Sequence, residues 1–273
     1  MMKKKPFYIV GVLNITPDSF YDGGRYQNIK NVLKRAEEMI RQGADIIDVG
    51  GESTFLNRKE VSLEEELKRV VPVIKKIHQK HPGVLISIDT YKSQVARAAI
   101  AAGAFMVNDV TAGRGDKNMF KALAENPQTA YVLMYSKDAT SRTTLKNKKY
   151  DDVIKTIKSF FKERIRKAKK DGLNPSRIIL DPGLGYFVSG LAEYSYEIIA
   201  RLPELKSLGH ELYLSPSRKS FLAGSEKLPA SDRLPATISV SALAVTRGAT
   251  YIRTHDVAEV HRGCEAAIKI IGY

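Results

Sequence analysis

The chain has 273 residues, 43% of them hydrophobic and 27% charged, with one cysteine and a formal net charge of +14. So much apolar material excludes a disordered chain. The longest apolar runs are strand-sized and fall far short of the roughly 18 residues of a membrane span, and one cysteine excludes an internal disulfide framework. The basic start Met-Met-Lys-Lys-Lys-Pro leads into an apolar segment too short for a signal peptide, so a cytoplasmic protein is expected. Lys and Arg are spread along the chain, with concentrations at Lys146–Lys149 and Phe161–Lys170. The second lies on a predicted helix with an apolar opposite face. Anionic small molecules are therefore expected partners rather than nucleic acid or membrane.

Apolar, β-branched runs alternate with amphipathic stretches from end to end, the pattern of parallel βα units. Strand one is predicted over Phe7–Ile15, followed by a helix over Ile29–Gln42 that stops at Gly43. Strand two is Ile46–Val49; Ser62 then opens a helix, with Glu65 placed to complete a capping box. Strand three is Leu85–Ile88, with a helix over Ser93–Ala102, and strand four is Phe105–Val107, with a short helix near Asn118–Ala124. Strand five, Ala130–Met134, leads to a helix over Asp152–Asp171 with acids at its start and lysines at its end, as the helix dipole favours. Strand six is Ile178–Leu180, with a helix over Glu193–Ser207, and strand seven is Glu211–Leu214, with a helix over Ser231–Arg247. Strand eight is Thr250–Arg253, and the last helix, Val257–Ile271, turns Cys264 inward as core filling.

Eight βα units without a linker or a second composition regime predict one (β/α)8 TIM barrel over residues 1–273. A doubly wound sheet is disfavoured because no Gly-rich phosphate loop follows an early strand. In a barrel the active site lies at the C-terminal ends of the strands. Each strand there hands over to polar residues: Asn14, Asp48-Val-Gly-Gly-Glu, Asp89-Thr, Asn108-Asp109, Tyr135-Ser136, Asp181-Pro-Gly, Ser217-Arg-Lys and Arg253-Thr-His-Asp. Asp89, Asn108 and Asp181 suit a flat heterocycle bearing N–H donors. Ser217, Arg218, Lys219, Arg253 and His255 come from strands seven and eight, where barrels often hold phosphate. The expected ligand is an aminated heterocycle with a phosphorylated arm. Asn14, Asp18 and Asp89 offer oxygen ligands for Mg2+ on a diphosphate. Walker, His-Glu-x-x-His, Cys-x-x-Cys and Gly-x-Ser-x-Gly motifs are absent.

Gly11-Val-Leu-Asn-Ile-Thr-Pro-Asp-Ser-Phe-Tyr-Asp-Gly-Gly24 resembles the first signature of the dihydropteroate synthases, and Gly43-Ala-Asp-Ile-Ile-Asp-Val-Gly-Gly-Glu-Ser-Thr54 resembles the second. Ile88-Asp-Thr, Asn108-Asp-Val, Asp181-Pro-Gly, Ser217-Arg-Lys-Ser-Phe-Leu222 and Arg253-Thr-His255 follow in the family's order. The resemblance implies condensation of 6-hydroxymethyl-7,8-dihydropterin pyrophosphate with p-aminobenzoate through SN1-like, Mg2+-assisted departure of pyrophosphate. It implies catalytic work by Asp89, Asp181 and Lys219, and a pterin bound by these three with Asn108. Asn14, Arg253 and His255 would face pyrophosphate, with Mg2+ at Asn14. Thr54, Ser217 and Tyr186 would serve p-aminobenzoate, and the protein would be a homodimer through its last helices.

The chain departs from the family pattern at Phe55 after Thr54, at Tyr135 after Met134, and at Gly185-Tyr-Phe-Val188. The last stretch is similar to a subgroup that includes sulfonamide-resistance synthases. Two alternatives accompany this reading: a methyltetrahydrofolate-binding methyltransferase, and a catalytically silent paralogue that binds pterins or a protein partner.

Overall fold

The computed structural model describes residues 5–15, 24–52 and 60–272. Among these residues eight parallel strands close into a barrel in sequence order. They are β1 (Tyr8–Asn14), β2 (Ile46–Gly50), β3 (Leu85–Asp89), β4 (Met106–Asp109), β5 (Ala130–Met134), β6 (Ile178–Asp181), β7 (Glu211–Leu214) and β8 (Tyr251–Thr254). The helices around them are α1 (Gly24–Arg41), α2 (Leu63–Lys80), α3 (Ser93–Ala101), α4 (Met119–Ala124), α5 (Val153–Lys170), α6 (Glu193–Ala200), α7 (Leu202–Lys206), α8 (Leu234–Thr246) and α9 (Val257–Ile271). The predicted TIM barrel is the observed fold. No helix among the described residues is long and apolar enough to cross a membrane.

The strands read as nearly continuous apolar runs because both of their faces are buried. Alternate residues turn outward into the layer beneath the helices, where Ile9, Ile47, Ile86, Ile88, Val107, Leu133, Leu180, Leu212 and Ile252 pack. The intervening residues point into the barrel, where Tyr8, Val10, Ile46, Met106, Ala130, Val132, Ile179, Tyr213 and Tyr251 form a separate cluster. Continuing the inward alternation towards the C-terminal ends gives Asn14 on β1, Asp48 and Gly50 on β2, Ser87 and Asp89 on β3, Asn108 on β4, Asp181 on β6 and Arg253 on β8. The lumen is therefore apolar and aromatic at one end, and polar at the other.

The first helix begins at Gly24 rather than at the expected Ile29, and three further differences have a local cause. The helix expected over Glu193–Ser207 is broken at Arg201 into α6 and α7, with Pro203 in the first turn of α7. Proline lacks the N–H needed to continue a helix and is tolerated in a first turn. The helix expected from Ser231 begins at Leu234, with Pro235 in its first turn and a 3-10 turn over Ala230–Arg233 before it. The capping box is half formed: Glu65 N–H donates to Ser62 Oγ at 3.2 Å, but the Glu65 carboxylate accepts from Arg69 Nε at 2.9 Å. Cys264 is fully buried as expected, and burial pushes its thiol up to about 12, so it stays protonated.

One glycine fixes how the chain leaves β6. Gly183 adopts φ +69°, its N–H donates to Asp181 Oδ1 at 2.8 Å, and a Cβ there would clash with the Tyr135 carbonyl oxygen. Gly183→Ala is expected to cost about 1–3 kcal/mol in backbone strain alone, with a further loss from the clash. Urea unfolding of the variant against the parent protein measures it, and an unchanged midpoint would contradict the strain.

Candidate active site

The polar end of the lumen is assembled by strand register. Asn14 pairs with Gly50, Gly50 with Asp89, and Asp89 with Asn108, so four adjacent strands present inward positions at one level. The row closes tightly at Gly50, where a Cβ would stand 3.4 Å from Asn14 Oδ1 and 3.7 Å from Asp89 Cβ. Any larger side chain there would fill the space between them.

Arg253 crosses from β8 to reach β2 and β3. Its Nε donates to Asp48 Oδ2 at 2.6 Å and a terminal nitrogen donates to Asp89 Oδ2 at 2.8 Å. Asn108 Nδ2 also donates to Asp48 Oδ2, at 3.2 Å. Burial works against the Arg253 charge, but Asp48 and Asp89 more than offset it, so its pKa is raised and it stays cationic. Burial pushes Asp89 up to about 7, against the pull of Arg253 and with repulsion from Asp48. Asp89 therefore lies near the point where it exchanges its proton at neutral pH.

A second charge pair flanks this bridge. Asp181 ends β6 at 2% exposure, and burial raises it to about 6, opposed by Lys219 and by the Gly183 N–H. Burial lowers Lys219 to about 8, opposed by Asp181 and reinforced by Arg253. The ammonium donates to the Leu184 carbonyl at 3.2 Å and sits 5.0 Å from the centre of the Phe187 ring. Asp181 and Lys219 thus influence each other across the site while each keeps a backbone partner.

At the mouth, Ser217 Oγ lies 3.0 Å from His255 Nδ1 and accepts from the His255 backbone N–H at 3.2 Å. His255 itself is exposed. Its imidazole is lowered to about 4, first by the desolvation of the crowded rim and then by repulsion from Arg253. Both causes act towards a neutral ring at pH 7. The resemblance assigned Ser217 to p-aminobenzoate, and the structure sets it directly beside the residue assigned to pyrophosphate.

The structure thus brings Asn14, Asp89, Asn108, Asp181, Lys219 and Arg253 to the C-terminal end of the lumen, with Ser217 and His255 at its rim. Tyr186 lies in the 3-10 turn after β6, where its carbonyl accepts from Thr143 Oγ1 at 2.7 Å and from Lys137 Nζ. Thr54 and Asp18 fall outside the described residues, as do Phe55 and the neighbouring Arg58.

Arg218 corrects the sequence reading. It is turned away from the phosphate group of residues: two of its nitrogens grip Asp256 at 2.8 and 2.6 Å, and a third donates to the Ala230 and Ser231 carbonyls. With φ +54° at Arg218, its side chain and that of Lys219 take different directions.

Asp48 was visible in the sequence only as part of a motif and received no role, although a charged residue inside the apolar run Ile46-Ile47-Asp48-Val49 is itself a signal. Glu52, likewise only part of that motif, and Lys92 form a further charged group. Lys92 Nζ joins Glu52 at 2.6 Å and Glu66 at 2.5 Å, and Arg142 of the loop after β5 reaches Glu52 at 3.3 Å. No group of three or more His, Cys, Asp or Glu among the described residues converges on a metal position.

The pattern of the pterin binding enzymes matches residues 10–255 of this chain, and the chain belongs to that family. It is 40% identical over 259 residues to the dihydropteroate synthase of Clostridium beijerinckii, covering 94% of this chain and 92% of that one. The Clostridium difficile dihydropteroate synthase solved in the presence of pteroic acid superposes with a TM-score of 0.87 at 39% identity, covering 97% and 96% of the two chains. The Xanthomonas albilineans enzyme with 4-aminobenzoic acid gives 0.88 at 33% identity, covering 98% and 94%. Within its family the chain stands with the dihydropteroate synthases and is, like them, a transferase.

Removing Arg253 would leave Asp48 and Asp89 buried without their countercharge. Arg253→Met is expected to lose about 3–5 kcal/mol of stability at neutral pH. Asp89, already raised to about 7, would rise further without its cation. A carboxyl raised in the folded state stabilises the fold while protonated and ceases to do so as pH rises through that value. The deficit should therefore shrink towards about pH 5. Urea unfolding at both pH values tests this, and a pH-independent deficit would count against the bridge.

Proposed function

We propose that the chain condenses 6-hydroxymethyl-7,8-dihydropterin pyrophosphate with p-aminobenzoate, giving 7,8-dihydropteroate and pyrophosphate in folate synthesis. The observation that carries this reading is the convergence, at one end of the lumen, of acceptors and one amide with a cationic flank. Asp181, Asn108 and Asp89 present acceptors and one amide to a ring that carries amino and N–H donors. Lys219 adds a positive charge beside them, and Phe187 lies against that ammonium.

In the proposed chemistry the bond between the pterin methylene and the pyrophosphate oxygen breaks first, and its electron pair leaves with pyrophosphate. The arylamine lone pair then closes the new C–N bond, and the amine proton passes to solvent. Arg253, His255 and Asn14 face the leaving group, with Ser217 holding His255. Asp181 and Asp89 stabilise the electron-poor methylene electrostatically, without forming a covalent bond to it. Thr54, Ser217 and Tyr186 are proposed for the p-aminobenzoate side.

Mg2+ is proposed with Asn14 as its protein ligand. That ion favours few protein oxygens beside substrate phosphates, so the single amide oxygen of Asn14 at the end of β1 suffices in this reading. When bound it would neutralise charge on pyrophosphate. The proposed homodimer through the last helices is supported by Leu243 on α8 and by Ile270 and Ile271 on α9, which are 50%, 72% and 58% exposed.

The protein is expected to release pyrophosphate only when both substrates and Mg2+ are supplied, followed with labelled p-aminobenzoate. Lys219→Ala and Arg253→Ala should each lose on the order of 10²-fold or more in rate. No turnover by the parent protein would favour the silent pterin-binding paralogue, and parental rates in both variants would remove the assignment of the cations. The pH dependence of kcat/KM follows from the same groups. It should rise between about 6 and about 7 as Asp181 and Asp89 ionise, and fall above about 8 as Lys219 loses its proton. Lys219→Arg should carry the alkaline limb upward, and a limb that stays in place would show that another group sets it.

A further inference from the structure

Below the substrate end, three side-chain atoms of the barrel interior are buried with no hydrogen-bond partner among the described residues: Asp48 Oδ1, Ser87 Oγ and Tyr213 OH. All three residues are fully buried. Asp48 and Ser87 are register partners on β2 and β3, about 4.8 Å apart at strand spacing, and both point inward. Tyr213 enters from β7 with its ring 6.1 Å from that of Tyr251. After burial itself, Asp48 is the charge that acts most strongly on the Tyr213 hydroxyl, ahead of Arg253, Asp181 and Asp89, so the hydroxyl ends within the charged layer. Buried polar groups are nearly always bonded. Three bare ones in one lumen, Asp48 and Ser87 side by side and Tyr213 reaching towards them from β7 across the closed barrel, call for a common partner.

We infer that Asp48, Ser87 and Tyr213 hold a buried water in the lumen beneath Arg253, and that this water fixes the carboxylate that aims the guanidinium. Three polar groups fall within the two to four that a buried water uses. The water donates one hydrogen to Asp48 Oδ1 and one to Ser87 Oγ, and accepts from Tyr213 OH. A cation fits less well, because Asp48 already takes its positive charge from Arg253 at 2.6 Å, and the other two groups are neutral hydroxyls. Asp48 thus has one oxygen on Arg253 and Asn108 and the other on the water, with no freedom to rotate. Ser87 and Tyr213 are positioning residues that act on Arg253 through Asp48. Their effect on turnover rests on the proposed role of Arg253 towards pyrophosphate; the water itself does not.

A high-resolution crystal structure of the full chain should show one solvent peak within hydrogen-bond distance of all three atoms. Tyr213→Phe should lose or displace it and lower Tm by about 2–4 °C, and Ser87→Ala should act in the same direction. The sign is decisive: an unpartnered hydroxyl would be costing stability, so its removal would raise Tm. A dry lumen, a cation at the site or a raised Tm in both variants would overturn the water. For Tyr213→Phe, a lower kcat with an unchanged KM for p-aminobenzoate is expected, and parental kinetics in a variant that has lost the water would overturn the positioning role. If the parent protein fails to turn over the proposed substrates, the proposed function falls, while crystallography and Tm still decide on the water.

Discussion

The charged end of the barrel depends on one guanidinium. Asp48 is wholly enclosed and Asp89 mostly so, and two carboxylates side by side in a closed barrel would repel each other in a medium that screens poorly. Arg253 lies between them with a nitrogen on each. Arginine suits the position because its planar fork reaches two acceptors at once and its charge survives burial. A lysine at 253 would offer a point charge without that span. Such a bridge is not evidence of great stability, since desolvation cancels much of the attraction. Its effect is on arrangement: β2, β3 and β8, distant in the chain, are held with their polar residues at fixed positions around the cup.

That arrangement also determines how much could be read from the sequence. The barrel was legible because each strand is bracketed by helix stops such as Gly43, Gly103, Gly172 and Gly248, and because alternation between strand and helix patterns never lapses. That polar residues gather where strands end was equally plain. Which of two neighbouring polar residues faces inward was not. Asn108 points into the lumen, whereas Asp109 faces outward and takes hydrogen bonds from Thr111, Gly113 and Tyr131. Lys219 reaches the cup and Arg218 turns back to Asp256. The strand period settles the first pair once the register is known. The second depends on a positive φ at a residue that is not glycine, which sequence composition does not announce.

Two of the departures from the family pattern, Tyr135 and Val188, become intelligible together. Tyr135 and Val188 face away from the lumen, both essentially enclosed. Tyr135 packs edge-on to Phe160, its hydroxyl lies 3.1 Å from that of Tyr150, and Tyr150 in turn donates to the Val188 carbonyl at 2.7 Å. The unusual residues thus form one packed, hydrogen-bonded unit beneath the turn that carries Tyr186. Lys137, almost wholly enclosed, secures the same turn from the other side by reaching the Tyr186 carbonyl, Thr143 and Thr144. These substitutions repack the support of a loop and leave the lumen set intact, which argues against reading them as the decay of a site.

The electrostatics of the lumen favour the same conclusion. Burial alone would drive Asp181 and Lys219 to neutrality, the carboxyl by taking up a proton and the amine by losing one. Each charge opposes that drift in the other, and the outcome is a pair at about 6 and about 8, one on each side of neutral pH. A purely structural ion pair would gain from direct contact, yet each group is bonded instead to backbone, Asp181 to the Gly183 N–H and Lys219 to the Leu184 carbonyl. Charges kept buried and matched but bonded to backbone rather than to each other remain available to a ligand. A flat ligand with donors along one edge and a leaving anion at the other would meet each charge without first having to separate them.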